Sequence, residues 1–375
     1  MTRRTIVACI ALACAAATLG IVSGPAAGGD VTPRATLTVS PGIIQNGASV
    51  ADPDRAALLG IATFRPVRTG RVVLVQRRIR GGAWNTVARR RENAAGQVLF
   101  RRAARRGARL YTYRAVALRT RGGAPRVATD PQSSSVWRQR FSDRFNETSL
   151  NRDKWSYRQL GIRTGSRQRS QSNRSAVRVR GGALRLLVRR HPRVPRRYYL
   201  NGHIGTSGKF AFRYGYAAAR IKFEEGRGQH GAFWMQPQSP AASHGSPART
   251  GTEIDIAEFF GRGTPDGGLA SYVYSYPRPG ETVKRGRVLR SASRALSGRN
   301  DNWWSRYHVF SVHWTRTGYV FRIDGIETWR HSAQVSRQRQ FLILSLLTSD
   351  WELPRLDRST LPSSMKVDWV RAWQR

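Results

Sequence analysis

The sequence predicts an all-β protein made of two sandwiches, a smaller one followed by a larger one. Apolar residues recur with a period of two in short runs along most of the chain, the spacing of half-buried strands rather than helices. Turn-forming residues separate these runs. No long helical stripe competes, and the regular crossover helices that a parallel α/β sheet needs are missing. At 375 residues, 40% hydrophobic with 11 tryptophans, the chain can build two or three domains with sizeable cores and an aromatic-lined site.

Residues 1–29 read as a secretory signal peptide. Met1-Thr2-Arg3-Arg4 is basic, an apolar run follows from Ile6 to about Val22, and small residues with Pro25 lead to Ala26-Ala27-Gly28. A permanent membrane anchor is disfavoured because the run is short and alanine-rich, and no later stretch is long and apolar enough to span a bilayer. Both cysteines, Cys9 and Cys14, lie in this leader. Cleavage near Gly28 leaves no disulfide, no thiolate nucleophile and no sulfur-ligated metal site. Cys14 sits inside the apolar run rather than after it, which sets aside a lipoprotein signal. The expected location is secreted, extracellular or cell-wall associated.

The formal net charge is +43, and losing Arg3 and Arg4 leaves +41 (43 − 2). The charge is almost all arginine; the lysines are Lys154, Lys209, Lys222, Lys284 and Lys366. Such a surface attracts anionic polymers. An acidic wall polymer or sulfated glycan fits it, and so does a compositional bias toward arginine. Specific nucleic-acid binding is disfavoured, since no zinc-finger spacing, helix-turn-helix pattern or aromatic-basic sheet motif appears.

The smaller sandwich spans about residues 30–128. Short β-rich runs recur at Ala35–Val39, Leu58–Phe64, Arg71–Arg77, Trp84–Ala88, Gln97–Phe100 and Leu110–Leu118. Six or seven short strands in about 95 residues suggest an immunoglobulin-like or fibronectin-type module. It reads either as a spacer or as a carbohydrate- or wall-binding unit, with Trp84 and Tyr111 the aromatic candidates. Arg119 to Ser135 is rich in Gly, Pro, Ser and Gln, and a linker is expected at 129–135.

The larger sandwich spans 136–375. Val177–Val188, Ala211–Phe223, His308–Trp314, Val320–Ile323, Phe341–Leu347 and Met365–Trp373 read as its strands. Its size permits a concave face able to hold a polymer.

Within it, Gly251-Thr252-Glu253-Ile254-Asp255-Ile256-Ala257-Glu258-Phe259-Phe260 sets three carboxylates in an apolar β-forming segment of a chain with only 22 acidic residues. Acids are costly to bury there unless paired, hydrogen-bonded or used. Glu253 and Asp255 are two apart and share a face. Glu258 points the other way unless a β-bulge around Ile256-Ala257 restores it. The glutamate Cα atoms then lie about 13 Å apart along the strand. Two inward-leaning side chains can close that to the ~5–5.5 Å of retaining glycoside hydrolysis. Glu253 is then the nucleophile and Glu258 the acid/base. Asp255 orients Glu253 and holds Glu258 protonated by like-charge repulsion. A hard-cation site is the competing use of three carboxylates, but no histidine or further acid lies close in sequence.

These residues resemble glycoside hydrolase family 16, the laminarinase-like β-glucanases. The likeness covers nearly the whole second body. It runs through Phe141-Ser142-Asp143-Arg144-Phe145, the Val177–Leu184 hairpin, the Gly208–Lys222 region, Gly231-Ala232-Phe233-Trp234-Met235, the acid motif, His308–Trp314, Phe321–Gly325 and Val367-Asp368-Trp369-Val370-Arg371. The resemblance implies a concanavalin-like β-jelly-roll with two curved sheets, an open cleft and cleavage of internal β-linkages with retention. It carries over the same roles for Glu253, Asp255 and Glu258. It also implies a structural calcium on the convex face, held by Asp368 and a backbone carbonyl near Gly182. No cofactor is required for catalysis.

The sequence departs from the family where His230-Gly231 replaces the usual Trp-Pro and where Leu347-Thr348-Ser349-Asp350-Trp351 replaces paired glycines before a tryptophan. His230 is expected to hydrogen-bond sugar hydroxyls or to cap a loop. Trp234 and Trp351 are expected on sugar faces or in the core, and Asn201 in the cleft or in a turn. The expected function is a secreted, monomeric endo-β-1,3-glucanase acting on β-glucan. A galactan substrate, a wall-glycan transglycosylase and a non-hydrolytic β-glucan-binding protein are the alternatives; retention of all three acids argues against the last.

Overall fold

The computed structural model describes residues 32–44, 57–79, 81–103, 111–134, 137–162, 165–194, 198–238, 244–262, 268–289 and 302–374. The leader-like segment 1–29 and residues 239–243 and 263–267 lie outside them. The described residues are overwhelmingly β. Their one α-helix, Pro247–Thr250, is a single turn, and no described helix is long and apolar enough to cross a membrane.

The N-terminal body holds β1 (Arg34–Ile44), β2 (Ala57–Arg65), β3 (Val72–Ile79), β4 (Asn85–Arg91), β5 (Gln97–Ala103), β6 (Tyr111–Ala117), β7 (Val127–Ala128) and β8 (Gln132–Ser133). One sheet has the order β1-β2-β5; the other runs β4-β3-β6-β7, with β8 also on β6. Leu37, Leu58, Phe64, Val98 and Phe100 of the first sheet meet Val73, Val75, Tyr113 and Ala115 of the second in one core. The segment expected as a linker is thus partly strand: Gln132 and Ser133 pair with Tyr113 and Thr112.

The C-terminal body contains β9 (Arg138–Asp143), β10 (Ser156–Tyr157), β11 (Ser170–Ser172), β12 (Val177–Val179), β13 (Leu184–Arg190), β14 (Tyr199–Gly205), β15 (Gly215–Lys222) and β16 (His230–Pro237). It continues with β17 (Glu253–Phe259), β18 (Leu269–Ser275), β19 (Val283–Leu289), β20 (His308–Thr315), β21 (Gly318–Ile323), β22 (Ile326–His331), β23 (Gln340–Leu347) and β24 (Ser363–Gln374). The sheet order is β19-β18-β17-β16-β23-β14-β13-β24-β15-β20-β21-β22, a jelly-roll-like path that folds over on itself. Its core lies between β16, β17 and β23 (Phe233, Ile254, Leu344) on one side and β15, β20 and β24 (Ala219, Val312, Val367) on the other.

Two points of the sequence reading are decided locally. Val177–Val188, read both as strand and as hairpin, is the hairpin: Gly181 and Gly182 take positive φ values of 63° and 68° and turn the chain between β12 and β13, which pair antiparallel. The strand beginning at Ala211 starts instead at Gly215, whose φ of 151° is open to glycine and whose added Cβ would meet the Trp373 carbonyl oxygen at 2.2 Å.

Strands β2 and β15 are apolar without alternation because both faces are covered. Leu58, Ala62 and Phe64 face the N-terminal core, while Leu59 and Ile61 reach across to Tyr216, Ala218, Val309, Trp369 and Trp373 of the second body. Arg101 Nη2 adds a 3.3 Å hydrogen bond to the Asp324 carbonyl. Leu59 is 1% exposed, so Leu59→Ala is expected to cost about 2–4 kcal/mol. The check is denaturant unfolding followed by tryptophan fluorescence, where the midpoint of the C-terminal body should fall with that of the N-terminal one.

Candidate active site

The expected bulge is present. Across from β17, Glu253, Asp255 and Glu258 pair with Tyr274, Tyr272 and Ala270, with the register shift between Asp255 and Glu258. Tyr274, Tyr272 and Ala270 are alternate residues of one strand, so all three acids project from one face. On the other side Asp255 pairs with Trp234 and Glu258 with Ala232. Ile254, Ile256, Ala257 and Phe259 go into the core.

This face opens into a cleft of about 570 Å³ lined by Glu253 and Glu258, with Tyr272, Tyr274 and Lys284 along one wall and His230, Trp351 and Glu352 along another. Lys284 Nζ stands 3.7 Å from the centre of the Tyr272 ring. Tyr272 lies flat over Gly286, where a Cβ would fall 2.0 Å from its Cδ1; any larger residue would push the ring into the cleft.

Each acid has its own environment. Glu253 Oε2 accepts a 2.9 Å hydrogen bond from Gln236 Nε2. Gln236 Oε1 in turn accepts from Arg158 Nη2 at 3.0 Å, and Arg158 Nε donates to His203 Nε2 at 3.2 Å. Burial raises the Glu253 carboxyl above its ordinary range, and Gln236 and Arg158 pull it back. Burial also lowers Arg158 to about 10, countered by Glu253, so it remains a cation. His203 is driven well below the ordinary imidazole range by burial and by Arg158, which suits its role as acceptor. Asp255, buried and next to both glutamates, is raised well above its usual value by burial, Glu258 and Glu253. Glu258 is pushed up to about 7 by burial, Glu253 and Glu352, against the pull of His230 and Lys284. All three carboxyls are shifted upward, each by a different set of neighbours.

The remaining expected residues separate. His230 lines the cleft, and its Nδ1 donates to Glu352 Oε2 and Oε1 at 2.8 and 3.0 Å. Trp351 lines the cleft and is 55% exposed. Trp234 is half-buried beside the acids, donating to Ser345 Oγ at 3.1 Å and stacking on His203. Asn201 does not reach the cleft. It is fully buried and donates to Ser170 Oγ at 3.1 Å, because β14 is covered on both faces. Arg158, Gln236, Tyr272, Tyr274, Lys284 and Glu352 complete the site without a motif of their own in the sequence.

Asp368 and Gly182 are neighbours, since Leu184 pairs with Val367. Asp368 is the bulged residue of β24 opposite Arg220 and Ile221, and its Oδ2 accepts a 2.7 Å hydrogen bond from Arg220 Nη1. A guanidinium held on the Tyr307 ring therefore balances this carboxylate. Among the described residues no cluster of three or more His, Cys, Asp or Glu could hold a metal.

A family model for the GH16 domain of β-porphyranases A–D matches residues 136–375. The chain belongs to glycoside hydrolase family 16. It is similar to the β-glucanase of Rhodothermus marinus, 27% identical over 275 residues, covering 67% of this chain and 89% of that protein. It is also similar to the keratan-sulfate endo-1,4-β-galactosidase of Sphingobacterium multivorum, 25% identical over 248 residues. That match covers 62% of this chain and 54% of the relative, so the chain spans about half the relative's length. In fold it is similar to the laminarinase of Rhodothermus marinus (TM-score 0.51, 24% identity, 64% of this chain and 98% of that one). The endo-β-1,3-glucanase of Pyrococcus furiosus is another such structure (TM-score 0.51, 21% identity, 64% and 94%).

Behind the cleft, buried Glu224 accepts from the Gly231 N–H at 2.8 Å. Burial, with Glu352 adding to it, holds its carboxyl well above the ordinary 4.5. A raised folded-state pKa means the folded state binds more protons, so this group's contribution is lost as pH rises above the ordinary value. Glu224→Gln should therefore melt higher than wild type at pH 8 and converge with it near pH 5, read by thermal denaturation at the two pH values.

Proposed function

We propose that the protein is a secreted, monomeric endo-β-glycosidase that cleaves internal β-1,3 linkages of β-glucan with retention. The observation that carries this is the bulge that brings Glu253, Asp255 and Glu258 to one face of a polymer-sized cleft. In the first step the Glu253 carboxylate attacks the anomeric carbon as the bond to the glycosidic oxygen breaks, and Glu258 gives that oxygen its proton. In the second, Glu258 takes a proton from water, whose oxygen attacks the anomeric carbon and releases Glu253. Asp255 lies between them on the same face; burial and both glutamates favour its proton, so it acts by orienting Glu253 rather than by the like-charge repulsion expected from the sequence. Gln236 and Arg158 hold the Glu253 carboxylate in line. Trp351 offers an exposed ring for a sugar face.

A second reading changes the substrate and keeps the mechanism. Lys284 and Arg355 both line the cleft, which favours a polymer with acidic substituents. The matching family model is named for β-porphyranases and one relative for keratan sulfate, and these support a galactan.

Product analysis on linear β-1,3-glucan, mixed-linkage glucan, agarose, porphyran, carrageenan and xylan tests both. Short β-1,3-linked products with retained anomeric configuration are expected. Cleavage confined to galactans moves the substrate, products longer than the substrate indicate transglycosylation, and an inverted product overturns the mechanism. Glu253→Gln is expected to abolish turnover while polymer retardation in affinity electrophoresis persists. Because Glu258 must enter the first step protonated, kcat/KM should fall as pH rises through about 7. The acid limb, set by Glu253, should lie above the ordinary 4.5. A kcat/KM profile on the cleaved polymer measures both limbs.

A further inference from the structure

We propose that His230 and Glu352 form a positioning pair that keeps a fixed positive charge diagonally across from Glu258, so that the same carboxyl can give up its proton and later take one back. The proposal rests on the reading of Glu258 as acid/base.

The strand register places the two groups. Gly231 pairs with Phe259 and Ala232 with Glu258, so His230 stands opposite Phe260, two residues from Glu258 on the same face. Such diagonal neighbours are about 7 Å apart. The His230 ring is held on Phe260 (centroids 5.6 Å) and on Trp351 (6.4 Å, 18° between planes). Its Nδ1 meets both oxygens of Glu352 at 2.8 and 3.0 Å. Glu352 is fixed in its turn: it is 2% exposed and accepts from the Ser349 N–H at 2.8 Å. A carboxylate placed this way makes a charge-assisted bond to imidazolium.

The surrounding charges show why the pair matters. Glu253 and Asp255 face Glu258 from its own strand, and Tyr274 and Lys284 face it from β18 and β19. His230 faces it from β16 and Glu352 from the β23–β24 connection. Burial, Glu253 and, more weakly, Glu352 favour the neutral acid, while His230, the largest charge effect, and Lys284 favour the carboxylate. An acid without those cations would hold its proton too tightly to act as a base. His230 can supply the charge because the Glu352 carboxylate holds its Nδ1–H. Burial works against that proton, but the Glu352 carboxylate, its hydrogen bond and Glu258 together raise the imidazole above its ordinary range, against a smaller opposing effect of Arg167. Arg355 lines the same wall of the cleft, and Glu224 lies behind it.

The test is the pH profile of kcat/KM on linear β-1,3-glucan, or on agarose or porphyran if that is the polymer cleaved. His230→Gln removes the charge and is expected to move the alkaline limb upward by about one pH unit. His230→Lys keeps the charge and should hold the limb near wild type. An unmoved limb in a His230→Gln protein of wild-type melting temperature overturns the proposal. An independent readout is the His230 ring titration by NMR. It should midpoint above 6.5 in wild type and lower in Glu352→Gln; equal midpoints also overturn it.

Failure of the underlying reading looks different. Glu258→Ala with sodium azide and a 2,4-dinitrophenyl β-laminaribioside, or the matching galactobioside, should regain turnover and release a β-glycosyl azide. There the phenolate leaves without a proton and azide displaces Glu253 from the anomeric carbon. No rescue removes Glu258 as acid/base and the pair's role with it. Rescue together with an unmoved limb in His230→Gln overturns the pair alone.

Discussion

The C-terminal body depends on one backbone irregularity in an apolar strand. A regular strand through Glu253–Phe259 would turn Glu258 into the core, on the side of Phe233, Ile254 and Ile256, where an acid has no partner. The extra residue at Ile256-Ala257 sends Ala257 inward instead and brings Glu258 into the cleft. Everything that tunes the acids follows from that placement. Alternate residues of β18 become the floor opposite them, β16 brings Gln236 opposite Glu253 and His230 diagonal to Glu258, and β19 supplies Lys284. The sheet is thus a grid on which each polar group is addressed by register.

Much of this grid was legible in the sequence. The two-residue period announced strands, and E-x-D-x-x-E in an apolar run announced both the bulge and the trio. What was not legible came from elsewhere in the chain. Gln236 is an ordinary glutamine until register sets it against Glu253. Arg158 is one arginine among many, and Glu352 sits in a turn after β23 with no local pattern. Asn201, expected in the cleft or in a turn, lies within β14 and is fully buried; the cover on both faces of that strand comes from distant segments. Arg220, visible only as another basic residue in β15, proves to be the partner of the Asp368 carboxylate.

The arginine excess acquires local meaning only where packing fixes a guanidinium. Arg158 bridges His203 and Gln236, and Arg220 joins Asp368 across β15 and β24. Exposed arginines such as Arg330, which donates to both oxygens of Glu327, form surface ion pairs that add little to stability. Composition therefore points to polyanions in general, and the cleft residues Lys284 and Arg355 turn that general attraction into a question about one substrate.

The seam between the two bodies bears on how such a protein can be divided. Tyr216, Trp369 and Trp373 are 0%, 0% and 5% exposed with the N-terminal body in place, and they lie on the reverse of strands whose other face forms the catalytic core. An excised C-terminal half would present this aromatic surface to water as one contiguous patch, the kind of surface that draws proteins into association. The two halves are therefore less like modules on a string than like a lid and its vessel, sharing a joint that the boundary of a family match does not mark.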